Sequence, residues 1–403
     1  MSKMQGILLA KRGPLIGHLA AYAHANTLTN LFPDLFAGLD VVSRELVGFV
    51  PSVQRNATAA RAAVNETVRY HVAPAASNGD VTPAMVVPEP ADQTIGNSTL
   101  TISKSRFSAF GFIGEEQRGL NNGPGYLSVQ ADMFAQALRS LTNEMEADLA
   151  LAAKLGASRA YGTAGTTPFA SGVGDSAQMR KLLDDNGAPA SGRSIIGNTS
   201  MGANLRTNTQ LTKALESGTT MTLTQGELIN LSGFSLKESG QTANHTKGTG
   251  ASYTTTAAGF AVGTTSIPII TGTGTVLAGD VVTFAGDTNK YIVATGVAAP
   301  GTIVLAAPGL RQAIPASATA MTIGNSYAAN IAMASNAMVL ATRMPEAPQE
   351  GDLRLDSMQL TDPRSGMTYE VSLWPGYRKI RAEVALAWGW KVVKPEHMHI
   401  LLG

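Results

Sequence analysis

A stretch in the second half of the chain differs in composition from everything around it, and this limits the folds that the chain can adopt. Residues 240–325 are rich in Gly, Thr and Ala and contain only five charged residues, namely Lys247, Asp280, Asp287, Lys290 and Arg311. Residues 281–293 alternate around a Gly286-Asp287 turn, which predicts a β-hairpin. Short strands between Gly and Pro turns are typical of a small barrel. We therefore predict an all-β module that interrupts an α/β domain, inserted where the two ends of the host lie close together on an exposed surface.

The strongest helical signal precedes this stretch, at residues 129–155. Apolar residues recur there at intervals of three and four, at Phe134, Leu138, Leu141, Met145, Leu149, Ala152 and Leu155. This spacing places them on one face of a helix, with Ser128 as its N-cap and Gly156 as its stop signal. At about 1.5 Å per residue the helix is roughly 40 Å long, which is enough to form the spine of a domain.

The segment before this helix predicts a long two-stranded arm with an irregular tip, at residues 65–113. Residues 65–73 and 99–116 have the composition of strands. Four prolines lie between them, at Pro74, Pro83, Pro88 and Pro90. Because proline interrupts ladder pairing, we expect an extended loop between the two strands.

Weaker patterns complete the prediction of secondary structure. They indicate short helices at residues 26–50 and 210–218, a helix at 175–187 capped by Asp175 or Ser176, a strand and turn at 193–205, a strand at 336–345, a hairpin at 353–373 that turns at 362–366, and long strands at 378–401. Together these elements predict an α+β chain of several domains.

The composition excludes several classes of function. The 403 residues suffice for two or three domains, and a formal net charge of +1 is too small to hold nucleic acid by bulk electrostatics. The absence of cysteine excludes disulfides and thiolate chemistry. Only 15% of the residues are charged, and a wide surface with few charges often faces other protein.

The first 25 residues mimic a secretory signal poorly. Lys3, Lys11 and an A-x-A pattern at residues 23–25 fit such a signal, but Arg12, Gly13, Pro14 and His18 interrupt its apolar part. We expect a partly helical terminal arm instead. No apolar run approaches the ~20 residues of a membrane span, and no membrane partner is predicted.

Motifs for nucleotide or hydrolytic chemistry are weak. Gly172, Gly174 and Ala177 fit G-x-G-x-x-A, but residues 163–171 lack the apolar strand that precedes a dinucleotide site. We interpret this motif as the start of a helix. Residues 245–250 (HTKGTG) do not follow the order of a P-loop, and no G-x-S-x-G motif is present.

Three groups of side chains have the composition of a metal, acid–base or DNA-binding site, but we interpret each of them as structural. His397 and His399 would share one face of a strand, yet a catalytic metal usually needs a third protein ligand. The carboxylates Glu144, Glu146 and Asp148 are interpreted as a solvated or interface face of the spine helix. Three tryptophans lie close in sequence to five basic residues, namely Trp374, Trp388 and Trp390 beside Arg378, Lys379, Arg381, Lys391 and Lys394. Packing is their expected role, and an inward-facing DNA contact is the alternative. We predict no catalytic, cofactor or metal site, and no enzyme.

The order of these elements resembles the major capsid proteins of tailed bacteriophages, which have the HK97-like fold, and within them the P-twenty-two-type coat protein with its inserted β-barrel. The resemblance covers residues 26–403. It rests on ANTLTNLFPDL (25–35), LTISKSRFSAFGFIGEE (100–116), VLAGDVVTFAG (276–286) and VALAWGWKVVKPEHMHILL (384–402).

The resemblance implies a division of the chain into five parts. These are an N-terminal arm at 1–50, an extended loop with its flanking strands at 51–113, a peripheral domain at 114–165 and 343–403 that contains the spine helix, an axial domain at 166–240 and 326–342, and an inserted β-barrel domain at 241–325. The extended loop is expected to drape over a neighbouring subunit.

The resemblance also implies a function and its partners. Pentamers and hexamers of the chain would form the icosahedral capsid of a virion, assembled in the host cytoplasm with a scaffolding protein and a portal. A decoration protein and non-specific double-stranded DNA at the inner face are further expected partners, and no cofactor is expected. Some relatives crosslink a loop lysine to an asparagine. Residues 65–103 contain no lysine, so we expect a shell without covalent links.

Charge pairs between subunits are expected at Arg69, Asp80, Arg106 and Asp280. Two other functions stay open at this point. An encapsulin-like compartment would keep the fold and hold an enzyme cargo. A hydrolase with a β-rich binding module would need a convergent acid–base site, and the sequence indicates none.

Overall fold

The computed structural model describes residues 47–72, 83, 96–120, 126–213, 228, 230–348, 351–361 and 367–403. Several predictions concern residues outside these ranges, namely the arm at 1–25, the helix at 26–50 as far as residue 46, most of the proline-rich loop with Asp80, the second half of the helix at 210–218, and the turn at 362–366. The described residues mix helices and strands, so the predicted α+β class is confirmed.

The helices are α1 (Gly114–Leu120), α2 (Tyr126–Gly156), α3 (Gly174–Asp185), α4 (Thr199–Thr207) and α5 (Thr209–Thr212). The strands are β1 (Gln54–Ala62), β2 (Thr67–Val72), β3 (Gly96–Thr101), β4 (Lys104–Ile113), β5 (Arg159–Tyr161), β6 (Arg193–Gly197), β7 (Ser235–Glu238), β8 (Asn244–His245), β9 (Thr254–Thr255), β10 (Ser266–Ile270), β11 (Val281–Phe284), β12 (Lys290–Thr295), β13 (Gly301–Leu305), β14 (Met321–Ile323), β15 (Tyr327–Ala334), β16 (Met338–Pro345), β17 (Asp356–Thr361), β18 (Thr368–Gly376), β19 (Lys379–Val392) and β20 (Met398–Leu402).

A six-stranded sheet is built around the long strand β19. Its strand order is β1-β16-β19-β18-β17. Strand β4, which is not part of this path, also pairs with β19. Strand β1 runs parallel to β16, whereas the other neighbours are antiparallel. The β4–β19 ladder continues from Lys104↔Trp388 to Ile113↔Lys379, so residues 104–113, which were predicted as part of the arm, belong to this sheet instead.

The predicted spine helix is α2, and it packs on this sheet. Phe134, Leu138, Met145 and Leu149 are fully buried, as their spacing predicts, and each contributes about 2 kcal/mol by leaving water. Leu155 at the end of the predicted stripe is 37% exposed. The helix ends at Gly156, where a Cβ atom would lie 2.6 Å from Cγ2 of Val392, so glycine permits the close approach to β19.

A second sheet centres on β15. This strand pairs with β6, β8 and β20, and the sheet continues through parallel neighbours to β7 on one side and β5 on the other. Helices α3 and α4 cover it and contribute Met179, Leu183, Met201 and Leu205 to a separate apolar cluster. The predicted alternation of helices and strands in this region therefore produces one layer of helices on a mixed sheet.

Strands β9 to β14 form a β-rich segment, defined here as residues 249–323, with an apolar cluster of its own. Pairing proceeds from β14 through β11, β12, β13 and β10 to β9. An isolated bridge between Thr254 and Ala320 joins β9 back to the start of β14, so the hydrogen bonds follow a closed circuit. The enclosed side chains include Tyr253, Ile267, Val282 and Ile303. Strand β12 also pairs with β5, which attaches the segment to the second sheet.

The structure confirms the helix predicted at 175–187 and the start of the one at 210–218, but the predicted caps and one predicted turn are wrong. Ser128 lies inside α2 and is not its N-cap. The N-cap of α3 is Val173, which forms no side-chain cap, while Asp175 accepts a hydrogen bond from the Phe169 amide and Ser176 donates to the Val173 carbonyl. The predicted turn after β6 is helix α4, whose N-cap Asn198 accepts a hydrogen bond from the Met201 amide.

Candidate intersubunit surfaces

Strands β2 and β3 form a hairpin arm that no other described strand joins. Their register extends from Thr67↔Thr101 to Val72↔Gly96. The side chains of Thr67, Arg69 and Thr99 are exposed. An isolated two-stranded hairpin is marginally stable in water, so an arm of this kind needs support at its root or from a partner.

The root of the hairpin arm is firmly fixed to the six-stranded sheet. Leu100 and Ile102 are buried against Ala62, Val339 and Ala387. The ammonium group of Lys391 on β19 donates hydrogen bonds of 2.9 Å to the Ser98 hydroxyl and of 2.9 Å to the Thr99 carbonyl. The arm is therefore anchored at its root, while Thr67, Arg69 and Thr99 on it stay exposed.

A second clamp joins strand β4, just after the arm, to the spine helix. Lys104 donates hydrogen bonds of 2.9 Å to both Glu144 and Asp148, and Asp148 also accepts a bond of 3.0 Å from the Trp388 indole. Burial opposes the charge on Lys104, but the hydrogen bonds to Asp148 and Glu144 outweigh it and raise the pKa of the lysine. These two carboxylates serve contacts within the chain, which the prediction of a solvated or interface face did not include.

Glu146, the third carboxylate of that group, lies in the interior, so the prediction of a surface position is wrong for it. Its side chain is fully buried and accepts hydrogen bonds from the amides of Gly48, Phe49 and Val50, at 2.6, 2.7 and 2.9 Å, and from the Ser239 hydroxyl at 2.8 Å. Burial raises the pKa of Glu146, although these four donors favour the ionised form. The carboxylate fastens the N-terminal end of the described chain to α2.

Ion pairs also fix the end of strand β1, shortly before the hairpin arm. The carboxylate of Glu370 on β18 is buried and binds two guanidinium groups, Arg61 at 2.5 Å and Arg354 at 2.6 Å. The hydrogen bonds to Glu370 raise the pKa of Arg61. Arg61 contacts both carboxylate oxygens of Glu370, and such bidentate contacts fix orientation as well as position, so the end of β1 is held on β18.

An open groove of about 730 Å³ lies at the far end of the β4–β19 ladder. We call it the tip groove and define it by residues 112–118 and 376–380. Tyr377 is 91% exposed there and Ile113 is 40% exposed. Arg378 has a positive φ of 55°, in a turn position that favours Gly or Asn. No described residue forms a salt bridge with Arg118, Arg378 or Lys379, so the groove combines unpaired cations with exposed apolar surface.

The four residues predicted to form intersubunit charge pairs have different surroundings. Arg69 is exposed on the hairpin arm, and Asp80 lies outside the described residues. Arg106 is 58% exposed and lies 3.3 Å from Glu144 of its own chain. Asp280 is completely buried and bonded to its own chain, so it is an internal acceptor and not a surface charge. Its position beside a Gly-rich turn gave no sign of this burial.

The two histidines of the predicted H-x-H pair do not share a strand face. Pro395 begins a 3-10 helix that contains His397, whose Nδ1 lies 3.1 Å from the Asn336 side-chain oxygen. His399 is on β20 and fully buried, which lowers its pKa to about 3, and its Nδ1 lies 3.0 Å from the Ser158 hydroxyl. Across the described ranges, no three His, Cys, Asp or Glu side chains form a group that could hold a metal ion.

The described helices also give no candidate membrane span, since none is both long and apolar enough. Of the three tryptophans, Trp388 is fully buried against the spine helix, as expected for packing. Among the described residues, the hairpin arm and the tip groove are two exposed surfaces that a neighbouring chain could contact.

Comparison with known proteins gives matches among solved structures only, because no protein-family model and no curated protein matches the sequence. The capsid of the cyanophage P-SCSP1u is 10% identical, with a TM-score of 0.46 over 87% of this chain and 86% of that chain. The mature capsid of bacteriophage PhiM1 is 9% identical, with a TM-score of 0.42 over 88% and 86%. The virus-like particle from Pyrococcus furiosus is 11% identical, with a TM-score of 0.41 over 92% and 99%. This chain is similar to each of them over most of its length.

Proposed function

We propose that this chain is the major capsid protein of a tailed DNA bacteriophage, with the HK97-like fold. Copies assemble into pentamers and hexamers of an icosahedral shell that encloses the genome. The observation that carries this proposal is the hairpin arm, which is anchored through Lys391 and the cluster around Leu100 but is covered by no described strand of its own chain. An anchored, exposed arm suits a protein that buries surface on a neighbouring copy.

The tip groove supports the same proposal. Tyr377 is 91% exposed there, next to Arg378, a non-glycine residue at positive φ. Backbone strain of this kind costs about 1 kcal/mol and is retained where function needs it. Contact with another copy accounts for both features. The low charge of the chain lowers the cost of desolvating such wide contacts.

The five-part division of the chain belongs to this proposal. The closed circuit of strands in residues 249–323 and its separate apolar cluster support an inserted β-barrel domain at 241–325. The cluster around α3 and α4 supports an axial domain at 166–240 and 326–342. The packing of α2 on the first sheet supports a peripheral domain at 114–165 and 343–403, which leaves 1–50 as the arm and 51–113 as the extended loop.

The shell is held without covalent links in this proposal. Residues 65–103 contain no lysine, and Lys104 is bound by two carboxylates of its own chain. Arg69, Asp80 and Arg106 remain proposed contacts between copies. A scaffolding protein, a portal, a decoration protein and packaged double-stranded DNA are proposed partners, assembly takes place in the host cytoplasm, and the mature location is the virion capsid.

The proposal is tested by expressing the chain alone and together with a scaffolding protein, followed by sedimentation velocity and negative-stain electron microscopy. We expect round shells of uniform diameter, in which denaturing gels show only the monomer band because no covalent links form. Co-purification of an enzyme inside the shells would favour a cargo compartment. A chain that stays monomeric with every partner would contradict the proposal.

A further inference from the structure

The β-rich segment is connected to the host by two crossing segments that lie side by side, residues 244–248 on the way in and 324–328 on the way out. They pair as short antiparallel strands, with Asn244 opposite Ala328 and His245 opposite Tyr327. Lys247 also donates its amide hydrogen to the Ser326 hydroxyl at 3.1 Å. The arrangement of the segment on the host therefore depends on what holds this pair of crossings.

One buried carboxylate lies at this junction and binds both the incoming crossing and the segment. Asp280 is 0% exposed. Its Oδ1 lies 2.8 Å from Nε2 of His245 and accepts the Gly248 amide at 3.0 Å, and its Oδ2 accepts the Leu277 amide at 2.7 Å. A buried carboxylate is costly unless hydrogen bonds satisfy its oxygens, and Asp280 has partners for its oxygens from two separate parts of the chain.

The outgoing crossing is joined to the same point through Tyr327. The His245 ring lies against the Tyr327 ring with centroids 5.1 Å apart, and the Tyr327 hydroxyl donates to the Gly279 carbonyl at 2.7 Å. The spine helix also reaches this point, because Lys154 donates to the Asn244 carbonyl at 3.4 Å. Four parts of the chain thus meet around the Asp280 side chain. They are the two crossings, the spine helix and the loop that carries Asp280.

Gly248 shows how closely the incoming crossing approaches the carboxylate. A Cβ atom on Gly248 would lie 2.6 Å from Oδ2 of Asp280 and 2.2 Å from the Thr275 carbonyl oxygen. No other residue type fits without moving the backbone. The contact therefore needs both the Asp280 carboxylate as acceptor and a glycine at position 248, which lets the backbone approach it.

Asp280 lies outside the apolar core of the β-rich segment. That cluster is formed by residues such as Val282, Val293 and Ile303, and it includes neither His245 nor Tyr327. The side chain of Val281, one residue after Asp280, packs in the host cluster, whereas that of Val282 packs in the segment. Asp280 is therefore at the seam between two separately packed bodies.

We infer that the Asp280 carboxylate is a latch that positions the β-rich segment on the host by closing its two crossings. Neutralising the carboxylate opens the crossings and leaves the core of each body folded. The β5–β12 ladder then remains as the backbone contact between segment and host. This inference goes beyond the proposed capsid function and does not depend on it, since the latch operates within one chain.

The test is hydrogen–deuterium exchange of the full chain with residue-level readout, for wild type and Asp280→Asn. We expect exchange at residues 244–248 and 324–328 to accelerate about tenfold, as for one lost net hydrogen bond, while Ile303 and the centre of α2 keep their protection. Asp287→Asn is the matched control. Asp287 belongs to the same segment but binds the Tyr291 hydroxyl and the Asn289 amide, away from both crossings.

Two outcomes of this experiment would overturn the latch. Unchanged exchange at the crossings would show that Asp280 does not hold them, and loss of protection throughout β10 to β13 would show that it supports the fold of the segment itself. If Asp280→Asn does not fold, His245 provides the second comparison. His245→Gln keeps a donor for Asp280 and should retain slow exchange at the crossings, whereas His245→Leu should not. Equal exchange in these two variants would also refute the latch.

Discussion

At the scale of single residues, this chain uses buried carboxylates to fasten its parts together. Glu146 binds three consecutive backbone amides at residues 48–50, and Asp280 binds amides and an imidazole where the chain enters the β-rich segment. In both places the donors come from segments far apart in sequence. A buried carboxylate is costly unless its hydrogen bonds are complete, so these positions tolerate little change.

We expect Glu146→Gln to lower the free energy of unfolding by about 2 kcal/mol at neutral pH. The amide nitrogen would face donors in place of an acceptor, and at least one of the four bonds would be lost. Chemical denaturation measures this difference. Asp132→Asn, at an exposed site on the same helix, should leave stability unchanged, and equal effects of the two variants would contradict the role given to Glu146.

Glu146 should also make the free energy of unfolding depend on pH, and the direction of this dependence can be stated. Because burial raises the pKa of Glu146 in the folded state, the folded chain holds that proton more tightly than the unfolded chain does. Its contribution to stability should therefore fall as pH rises from the ordinary glutamate range through the raised pKa. Glu146→Gln should remove this part of the slope. A Glu146→Gln profile parallel to that of wild type would show that the carboxylate does not titrate there.

The turn at the tip groove should show opposite effects on folding and on assembly. Arg378→Gly relieves a positive φ and should stabilise the monomer by about 0.5–1 kcal/mol. In the proposed shell it also removes a contact, so the concentration needed for assembly should rise about fivefold. Melting temperature and light scattering measure the two effects. Lys181→Ala, at an exposed cation on α3, is the control, and normal assembly of Arg378→Gly would exclude the tip groove as an interface.

At the scale of elements, the hairpin arm is the feature whose root and surface can be tested separately. Lys391→Met removes two hydrogen bonds to the arm and keeps most of the aliphatic stem. We expect the monomer to unfold within about 1 kcal/mol of wild type, because the bonds are partly exposed. Assembled shells should dissociate at lower denaturant concentration, because the arm is no longer pre-oriented.

Sedimentation of shells in increasing guanidinium measures this effect, with Lys181→Met as control. If Lys391→Met destabilises the monomer and the shell equally, the arm root is part of the ordinary core. If neither changes, Leu100 and Ile102 suffice to orient the arm. Either result would contradict a separate role of Lys391 in assembly.

Elements with a strong apolar period were predictable from sequence, and those fixed by tertiary contacts were not. The stripe from Phe134 to Leu149 predicted the buried face of α2, because each turn of the helix repeats the same signal. Helix α4 was missed because Gly202 and the flanking threonines favour a turn locally. Its burial against the second sheet through Met201 and Leu205 overrides that preference.

The candidate sites show the same limit. Exposure of Arg69 follows from an arm pattern that the sequence displays. The burial of Glu146 and Asp280 could not be predicted in this way, because most of their hydrogen-bond partners are distant in sequence. The donors to Glu146 lie 93 or more positions away, and His245 and Gly248 lie 35 and 32 positions from Asp280. A single carboxylate in a polar stretch has no local sign of such partners. The tip groove was equally hidden, since it forms only where β4 and the β18–β19 turn come together.

At the scale of the whole molecule, the scarcity of charge decides how copies of this chain should attract each other. Only 15% of its residues are charged, and many of the charges in the described part are already paired within the chain, as at Glu370 and Lys104. Contacts between copies in the proposed shell should therefore depend mainly on apolar burial and on backbone hydrogen bonds. Salt screens neither of these strongly.

Assembly of the wild-type chain should accordingly change little with ionic strength. Between about 0.1 and 0.5 M NaCl the Debye length falls from ~10 Å to roughly 4 Å, which removes most attraction between exposed charges. We expect the threshold concentration for shell formation, measured by light scattering, to shift by less than about threefold, since the apolar contribution persists. Arg378→Gly should show an even smaller shift than wild type, because it lacks one of the unpaired cations of the tip groove. A wild-type threshold that rises steeply with salt would mean that exposed charges, such as Arg69, Arg118 and Lys379, carry the contacts between copies.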